Sequence, residues 1–192
     1  PNQYEVDDSL IIKPLSLEEA KKVDIVKGPN IKYLPVPEAP KDEVLLPVSL
    51  KATDNITTDD ITPASAEFSS MRSNIPEMSK YCYLRYDNEF SKRAKELKSS
   101  IIVGGENYGQ GSSREHAAIN PMYLGVKIVI AKSIARIHKS NLLNHGIIPM
   151  VFENKDDYEK ISLIDKLEIK NLREGIKDRR VLVNCKEKGY SF

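Results

Sequence analysis

The sequence predicts an α/β layered domain with a mixed, partly parallel sheet. From residue 100 onward, short apolar runs alternate with stretches of helical spacing, the pattern of a layered domain with parallel strand pairings. A glycine-rich loop, Gly104 to Gly111, leaves the first of these runs and opens a helical stretch. A more polar early strand and two late, hairpin-like strands make the sheet mixed.

The elements follow in order. Residues 1–45 are irregular, with prolines at 1, 14, 29, 35, 37 and 40, and read as a linker or extended segment. Only Leu17–Lys22 has the look of a helical turn, and residues 46–192 form the domain proper. Glu43–Lys51 is a strand in which Pro47 favours an edge or a bulge. Residues 52–79 read as a polar loop region, and Glu89–Lys98 as a solvated helix. Ser100–Val103 is a buried strand, Ser112–Leu124 a helix, and Lys127–Ala131 a second buried strand. Ser133–His145 is a helix with Ser133 as N-cap and Gly146 at the C′ position. Ile147–Phe152 is a strand, Lys155–Ile161 a helix, and Asp165–Ile169 and Arg180–Asn184 are late strands.

Composition bounds the function. The 192 residues include 29 Lys and Arg against 28 Asp and Glu. A net charge of +1 leaves no electrostatic footprint for nucleic acid or an acidic membrane, although a local basic patch for a small polyanion stays open. Cys82 and Cys185 are the two cysteines and neither lies in a Cys-x-x-Cys. A closed zinc or iron–sulfur site needs three or four such ligands, so no metal site is expected in this chain, and the thiols read as free in a reducing compartment. The start has no basic or apolar leader, and the apolar runs fall far short of the ~18 residues of a membrane span. With no initiator methionine, the chain is expected to be a piece of something longer.

The chemistry concentrates in Gly104-Gly105-Glu106-Asn107-Tyr108-Gly109-Gln110-Gly111-Ser112-Ser113-Arg114-Glu115-His116. A glycine-rich turn into a helix start offers unpaired N–H groups and positive potential to an anion. It is neither a P-loop nor the dinucleotide fingerprint, and its pattern alone leaves an anion site and a structural turn both open. Ser112 at a helix start with Arg114 nearby has the setting of a strengthened base or nucleophile, and equally that of an N-cap.

The stretch from Gly105 to Ala118 resembles the signature of the aconitase superfamily's swivelling domain. Three further blocks agree in order. Asp54-Asn55-Ile56-Thr57-Thr58-Asp59 with Ile61 resembles the family's Asn-x-Thr-Thr-Asp-His-Ile. Ala131-Lys132-Ser133-Ile134-Ala135-Arg136-Ile137-His138 resembles its Lys-Ser-Phe-Ala-Arg-Ile-His. Asn141-Leu142-Leu143-Asn144-His145-Gly146-Ile147-Ile148-Pro149 resembles its Asn-Leu-x-Asn-x-Gly-Leu-Leu-Pro. Lys27-Gly28-Pro29-Asn30-Ile31 is similar to the segment that enters this domain. The likeness covers most of residues 25–152, and the last forty residues match loosely.

The resemblance implies a swivelling β/β/α domain and a hydro-lyase reaction of the tricarboxylic acid cycle, citrate to isocitrate through cis-aconitate. It implies Ser112 as the base, with Ser113, Arg114 and Arg72 holding substrate carboxylates and Asp59, Asn107, Gly111 and His116 in support. Arg72 matches the family's further arginine after a one-residue shift in spacing. Arginine suits a tricarboxylate through bidentate pairing. The implied cofactor is a [4Fe–4S] cluster bound by other domains of the parent chain, which are the implied partners and without which this domain is inactive. The implied compartment is the cytoplasm, or the mitochondrial matrix in a eukaryote. Asp60 departs from the family's histidine and Ile134 from its phenylalanine. His138 and His145, seven apart on one face, are expected to hydrogen-bond or meet solvent rather than bind metal. The alternative is the small subunit of a 3-isopropylmalate or homoaconitate isomerase, which shares the Gly-Ser-Ser-Arg-Glu-His signature. An RNA-binding module and an inactive carboxylate-binding relic are disfavoured, the first by charge and the second by the intact Ser112, Ser113 and Arg114.

Overall fold

A computed structural model describes residues 7–39 and 41–192; Pro1 and Pro40, counted with the linker above, lie outside the described residues. Helix α1, Leu17–Ala20, is closed by a capping box between Ser16 and Glu19 and buries no residue. Strand β1, Val44–Lys51, leads into the supposed polar loop, which instead holds α2 (Thr58–Ile61), α3 (Ala66–Ser69), α4 (Ile75–Met78) and a 3-10 turn at Ser79–Tyr81. These helices are too short to show a periodic apolar face. Local caps start α2 and α4, at Thr57 and Asn74.

The alternating part follows as α5 (Phe90–Leu97), β2 (Ser100–Gly104), α6 (His116–Tyr123), β3 (Val126–Ala131), α7 (Arg136–Asn144), β4 (Ile148–Val151) and α8 (Asp157–Lys160). The end carries β5 (Lys166–Ile169), α9 (Leu172–Asp178), β6 (Val183–Cys185) and β7 (Tyr190–Ser191). Neither α9 nor β7 was expected.

The seven strands run in the order β4-β3-β2-β1-β5-β6-β7. The pairs β1–β2, β2–β3 and β3–β4 are parallel, and β1–β5, β5–β6 and β6–β7 antiparallel. The sheet is therefore mixed, with its parallel half formed by the alternating segment. β1 is an interior strand. Pro47 is tolerated there because its stretch pairs with β5 alone, while pairing to β2 begins at Val48.

A bulge follows immediately. Between Val48 and Leu50, β1 advances two residues while β2 advances one, Ile101 to Ile102. Side-chain parity inverts there: Leu46 and Val48 join one core and Leu50 and Ala52 the other. Ile102 and Val129 face the core under α5, α6 and α7, while Ile101, Val103, Ile128 and Ile130 face the second. Strands buried on both faces explain the unbroken apolar runs of β2 and β3.

The second core also takes Leu167, Ile169, Val183 and Cys185 from the antiparallel strands. The sheet thus curls so that its antiparallel half covers the face the helices leave bare. Its two edges meet, with Phe152 after β4 and Phe192 after β7 at 5.3 Å between ring centroids. The curl leaves the carboxyl ends of the parallel strands, and the loops that follow them, along one rim.

Candidate active site

The glycine-rich loop leaves β2 on that rim and is clamped from two sides. On the β1 side, Asn55 N–H donates to the Glu106 carbonyl (2.8 Å), Gly109 N–H to Ile56 (2.7 Å), and Thr58 N–H to Gln110 (2.8 Å). On the β3 side, Tyr108 N–H donates to Ser133 (3.0 Å) and Ala135 N–H to Tyr108 (2.9 Å). Positive φ at Gly109 (77°) and Gly111 (108°) lets the chain turn between these contacts.

Ser133 belongs to this clamp and does not cap α7, whose N-cap position is Ala135. Its hydroxyl accepts from Asn107 N–H at 2.7 Å and donates to Glu106 Oε2 at 2.6 Å. Lys155 closes on the other oxygen of Glu106 at 2.7 Å, and these partners hold the Glu106 carboxyl below its ordinary pKa.

Helix α6 begins at His116, so Ser112 does not open it and Glu115 holds the N-cap position. Ser112, Ser113 and Arg114 form an irregular approach to the helix, which removes both the N-cap reading of Ser112 and the bath of helical N–H donors. Its partner is Thr58, a fully buried residue of α2. Ser112 N–H donates to Thr58 Oγ1 at 3.2 Å, and the two hydroxyl oxygens lie 3.1 Å apart. Since Thr58 Oγ1 already accepts from the amide, its own proton is free to point at Ser112 Oγ, the orientation that supports negative charge there. Thr58 is a site residue that sequence reasoning missed; the hydroxyl in the Thr-Thr-Asp block was the available signal.

Arg114 is anchored on the same helix. Its Nη1 donates to the Thr58 carbonyl (3.3 Å), the Thr62 carbonyl (3.0 Å) and Asp59 Oδ1 (2.8 Å). Asp59 is solvent-exposed, so this ion pair orients the guanidinium more than it stabilises the fold. Nε and Nη2 carry no bond among the described residues, which leaves the fork's other edge for a carboxylate. His116 Nε2 lies 2.9 Å from the Arg72 carbonyl and ties that segment to the start of α6.

Ser112, Ser113, Arg114, Arg72 and His116 line one cavity of about 290 Å³, together with Thr62, Pro63, Ala64 and Met78. Gly111 packs beneath against Thr58, where a Cβ would come within 3.2 Å of Oγ1. Asn107 lies away from the cavity and bonds Ser133 and Asn55 (3.2 Å) as part of the clamp. A larger cleft of about 720 Å³ beside Lys51 and Tyr86 holds none of these residues. The smaller cavity is the candidate because it brings the paired serines Ser112 and Ser113 together with two guanidinium groups, those of Arg72 and Arg114.

Asp60, the departure from the family's histidine, has a local task. Its carboxylate accepts from Thr57 N–H (2.8 Å) and Thr57 Oγ1 (2.6 Å) while its own N–H donates to Thr57 Oγ1 (3.0 Å). This capping box starts the helix that carries Thr58 and Asp59. His138 departs from expectation: it is 1 % exposed and neither ring nitrogen has a partner among the described residues. His145 lies 4.0 Å from Glu115, and burial lowers its pKa against the pull of that carboxylate.

The residues present do not fit an iron–sulfur cluster. Cys82 is buried in the helix-side core and Cys185 in the other, and burial pushes the Cys82 thiol up to about 12. Among the described residues no three His, Cys, Asp or Glu side chains gather to hold a metal ion, and no helix is long and apolar enough to cross a membrane.

Comparison with known proteins decides the family. The model of the aconitase C-terminal domain matches residues 50–155, more than half of the chain. The chain belongs to this family. It is 48% identical over 95 residues to the probable mitochondrial aconitate hydratase of Dictyostelium discoideum, covering 48% of this chain and 12% of that protein. It is 34% identical over 160 residues to the mitochondrial aconitate hydratase of Gracilaria gracilis, covering 70% of this chain and 20% of that one. Among solved structures it resembles a 3-isopropylmalate dehydratase chain of Methanocaldococcus jannaschii, with a TM-score of 0.63 and 34% identity over 78% of this chain and 79% of that one. This aconitase-type domain spans a fifth or less of the length of the two aconitate hydratases it matches.

Proposed function

We propose that the chain is the C-terminal swivelling domain of an aconitate hydratase, with residues 1–45 as its linker and 46–192 as the domain. It contributes the base and part of the carboxylate binding for the isomerisation of citrate and isocitrate through cis-aconitate. The observation that carries the reading is the arrangement around Thr58. One buried hydroxyl holds the Ser112 amide and faces Ser112 Oγ, and the adjoining carbonyls hold Arg114.

In this reading Ser112 Oγ takes the proton from the carbon next to a substrate carboxylate. The Thr58 hydroxyl, within hydrogen-bond reach of Oγ, stabilises the Ser112 alkoxide, the form that takes up the proton and is restored when the proton is returned. The free edge of Arg114 receives one carboxylate as a bidentate pair, and Ser113 and Arg72 add contacts from the same cavity. Asp59 and the carbonyls of Thr58 and Thr62 fix the guanidinium before substrate arrives, so little ordering is left for binding. His116 keeps Arg72 at the cavity wall. The family's [4Fe–4S] cluster we place in the rest of the parent chain, since the described residues gather no ligand set for it.

The parent would act in the tricarboxylic acid cycle, in the cytoplasm or the mitochondrial matrix; both named relatives are described as mitochondrial. A second reading, the small subunit of an isopropylmalate or homoaconitate isomerase, draws on the likeness to the Methanocaldococcus jannaschii chain. Residues 7–39, which bury no side chain, weigh toward a domain tethered to a longer chain.

One experiment separates these readings. The full-length parent, reconstituted with iron and sulfide, is assayed for cis-aconitate formation from citrate and isocitrate beside Ser112→Ala. Turnover by the wild type, with loss of activity but retained citrate binding in the variant, is the expected result. Reaction with isopropylmalate or homocitrate alone selects the second reading. A fully active Ser112→Ala removes the base assignment.

A further inference from the structure

Beneath the glycine-rich loop lies a buried group that the proposed chemistry does not use. His138 sits in the first turn of α7 and is 1 % exposed. Neither of its nitrogens has a partner among the described residues, so the ring is not held in place by hydrogen bonds. An unpaired buried polar group works against the fold and calls for a reason.

What the ring touches is the loop. A Cβ at Gly109 would lie 2.0 Å from His138 Cδ2 and 2.3 Å from Cγ, so the imidazole fills the space that any other residue at 109 would need. The ring also leans on Tyr108, with centroids 5.4 Å apart. The Tyr108 hydroxyl is itself closed onto that of Tyr83, and both side chains are fully buried. From the opposite side Gly109 N–H is drawn to the Ile56 carbonyl at 2.7 Å. The loop is gripped between α7 and the segment entering α2, and it goes on to present Ser112 Oγ at 3.1 Å from Thr58 Oγ1.

We infer that His138 is a positioning residue for Ser112, acting by the shape of its ring through Gly109 to set the height of the loop and so the Ser112–Thr58 geometry. The inference rests on the reading of Ser112 as the base. Arg114 takes its position from a different source, since its guanidinium is bonded to the Thr58 and Thr62 carbonyls and to Asp59. The two effects therefore separate. A change at His138 disturbs proton transfer and leaves the Arg114 hold on a carboxylate, the main charged contact, in place.

The test uses the full-length parent with His138→Ala, Gly109→Ala, their double variant and His138→Leu. His138→Ala and Gly109→Ala each lower kcat about tenfold or more, while KM stays within about twofold, as expected for a base moved by a fraction of an ångström. The double variant is no slower than Gly109→Ala alone, because the first change opens the space that the second fills. His138→Leu, close in volume, returns kcat to within about threefold of wild type. Hydrogen exchange gives a readout independent of turnover: the Gly109 amide exchanges faster in His138→Ala and at the wild-type rate in His138→Leu.

Wild-type kcat and Gly109 exchange in His138→Ala overturn the inference. A His138→Leu variant as slow as His138→Ala overturns the claim of shape, as does a raised KM with unchanged kcat. If His138→Ala loses its cooperative melting, His138→Leu and Gly109→Ala decide by the same criteria. An active Ser112→Ala overturns the base reading and the catalytic half of this inference, and Gly109 exchange then judges the loop contact by itself.

Discussion

Acid should destabilise this chain well above the carboxylate range, and His138 is the reason. Burial of its ring lowers its pKa from 6.5 to about 4. Between those values the unfolded chain binds a proton that the folded chain refuses. Stability from this group is therefore complete above pH 6.5, falls as pH drops, and stops falling below about 4. The full difference amounts to about 3 kcal/mol, of which about 2 kcal/mol is lost by pH 5. His145, also lowered by burial, adds to the same trend. Glu106 and Glu168, lowered by their partners from an ordinary 4.5, and Asp165, where burial pushes up but Lys188 and the Ser162 amide together bring the value below 3.8, lose their contributions only below those values. Urea unfolding at pH 7.5 and pH 5 should therefore isolate the histidines, and His138→Leu isolates this one. The wild type should lose about 2 kcal/mol more than His138→Leu across that interval. Equal losses in the two proteins would refute a neutral, buried His138.

Two smaller tests concern groups whose tasks the fold revealed. Neither thiol should react with a thiol reagent at pH 8 in the folded chain, since Cys82 and Cys185 are both buried and the Cys82 thiol sits at about 12; both should react in denaturant, and rapid labelling of the native protein would contradict that burial. Asp60→Ala removes the carboxylate of the α2 capping box and should cost about 1 kcal/mol of stability in urea unfolding. An unchanged midpoint would mean that the box adds nothing to the helix on which Thr58 rides.

Much of this protein was legible along the chain because the signals are local. The runs of β2 and β3, the glycines between strand and helix, and the Gly-Ser-Ser-Arg stretch each declare themselves within a dozen residues. Backbone permissiveness and burial on two faces act at that range. Family membership was readable for the same reason, since it rests on contiguous blocks.

What only the tertiary structure decided are the relations between distant segments. Ser112 and Thr58 are 54 residues apart and meet because β1 and β2 are neighbours whose following loops share a rim. The serine's setting was misread from sequence because a hydroxyl before an apolar run looks like a helix start, whereas α6 waits until His116. The bulge after Pro47 shows only as a break in which core the residues of β1 join. The contact between Phe152 and Phe192 depends on a curl accumulated over seven strands. His138 reads as a solvent-facing or hydrogen-bonded residue on a helix, and becomes a buried support only once the loop lies on top of it. Propensity and spacing fix conformation over a turn or two, while strand order and packing fix which side chains share a site.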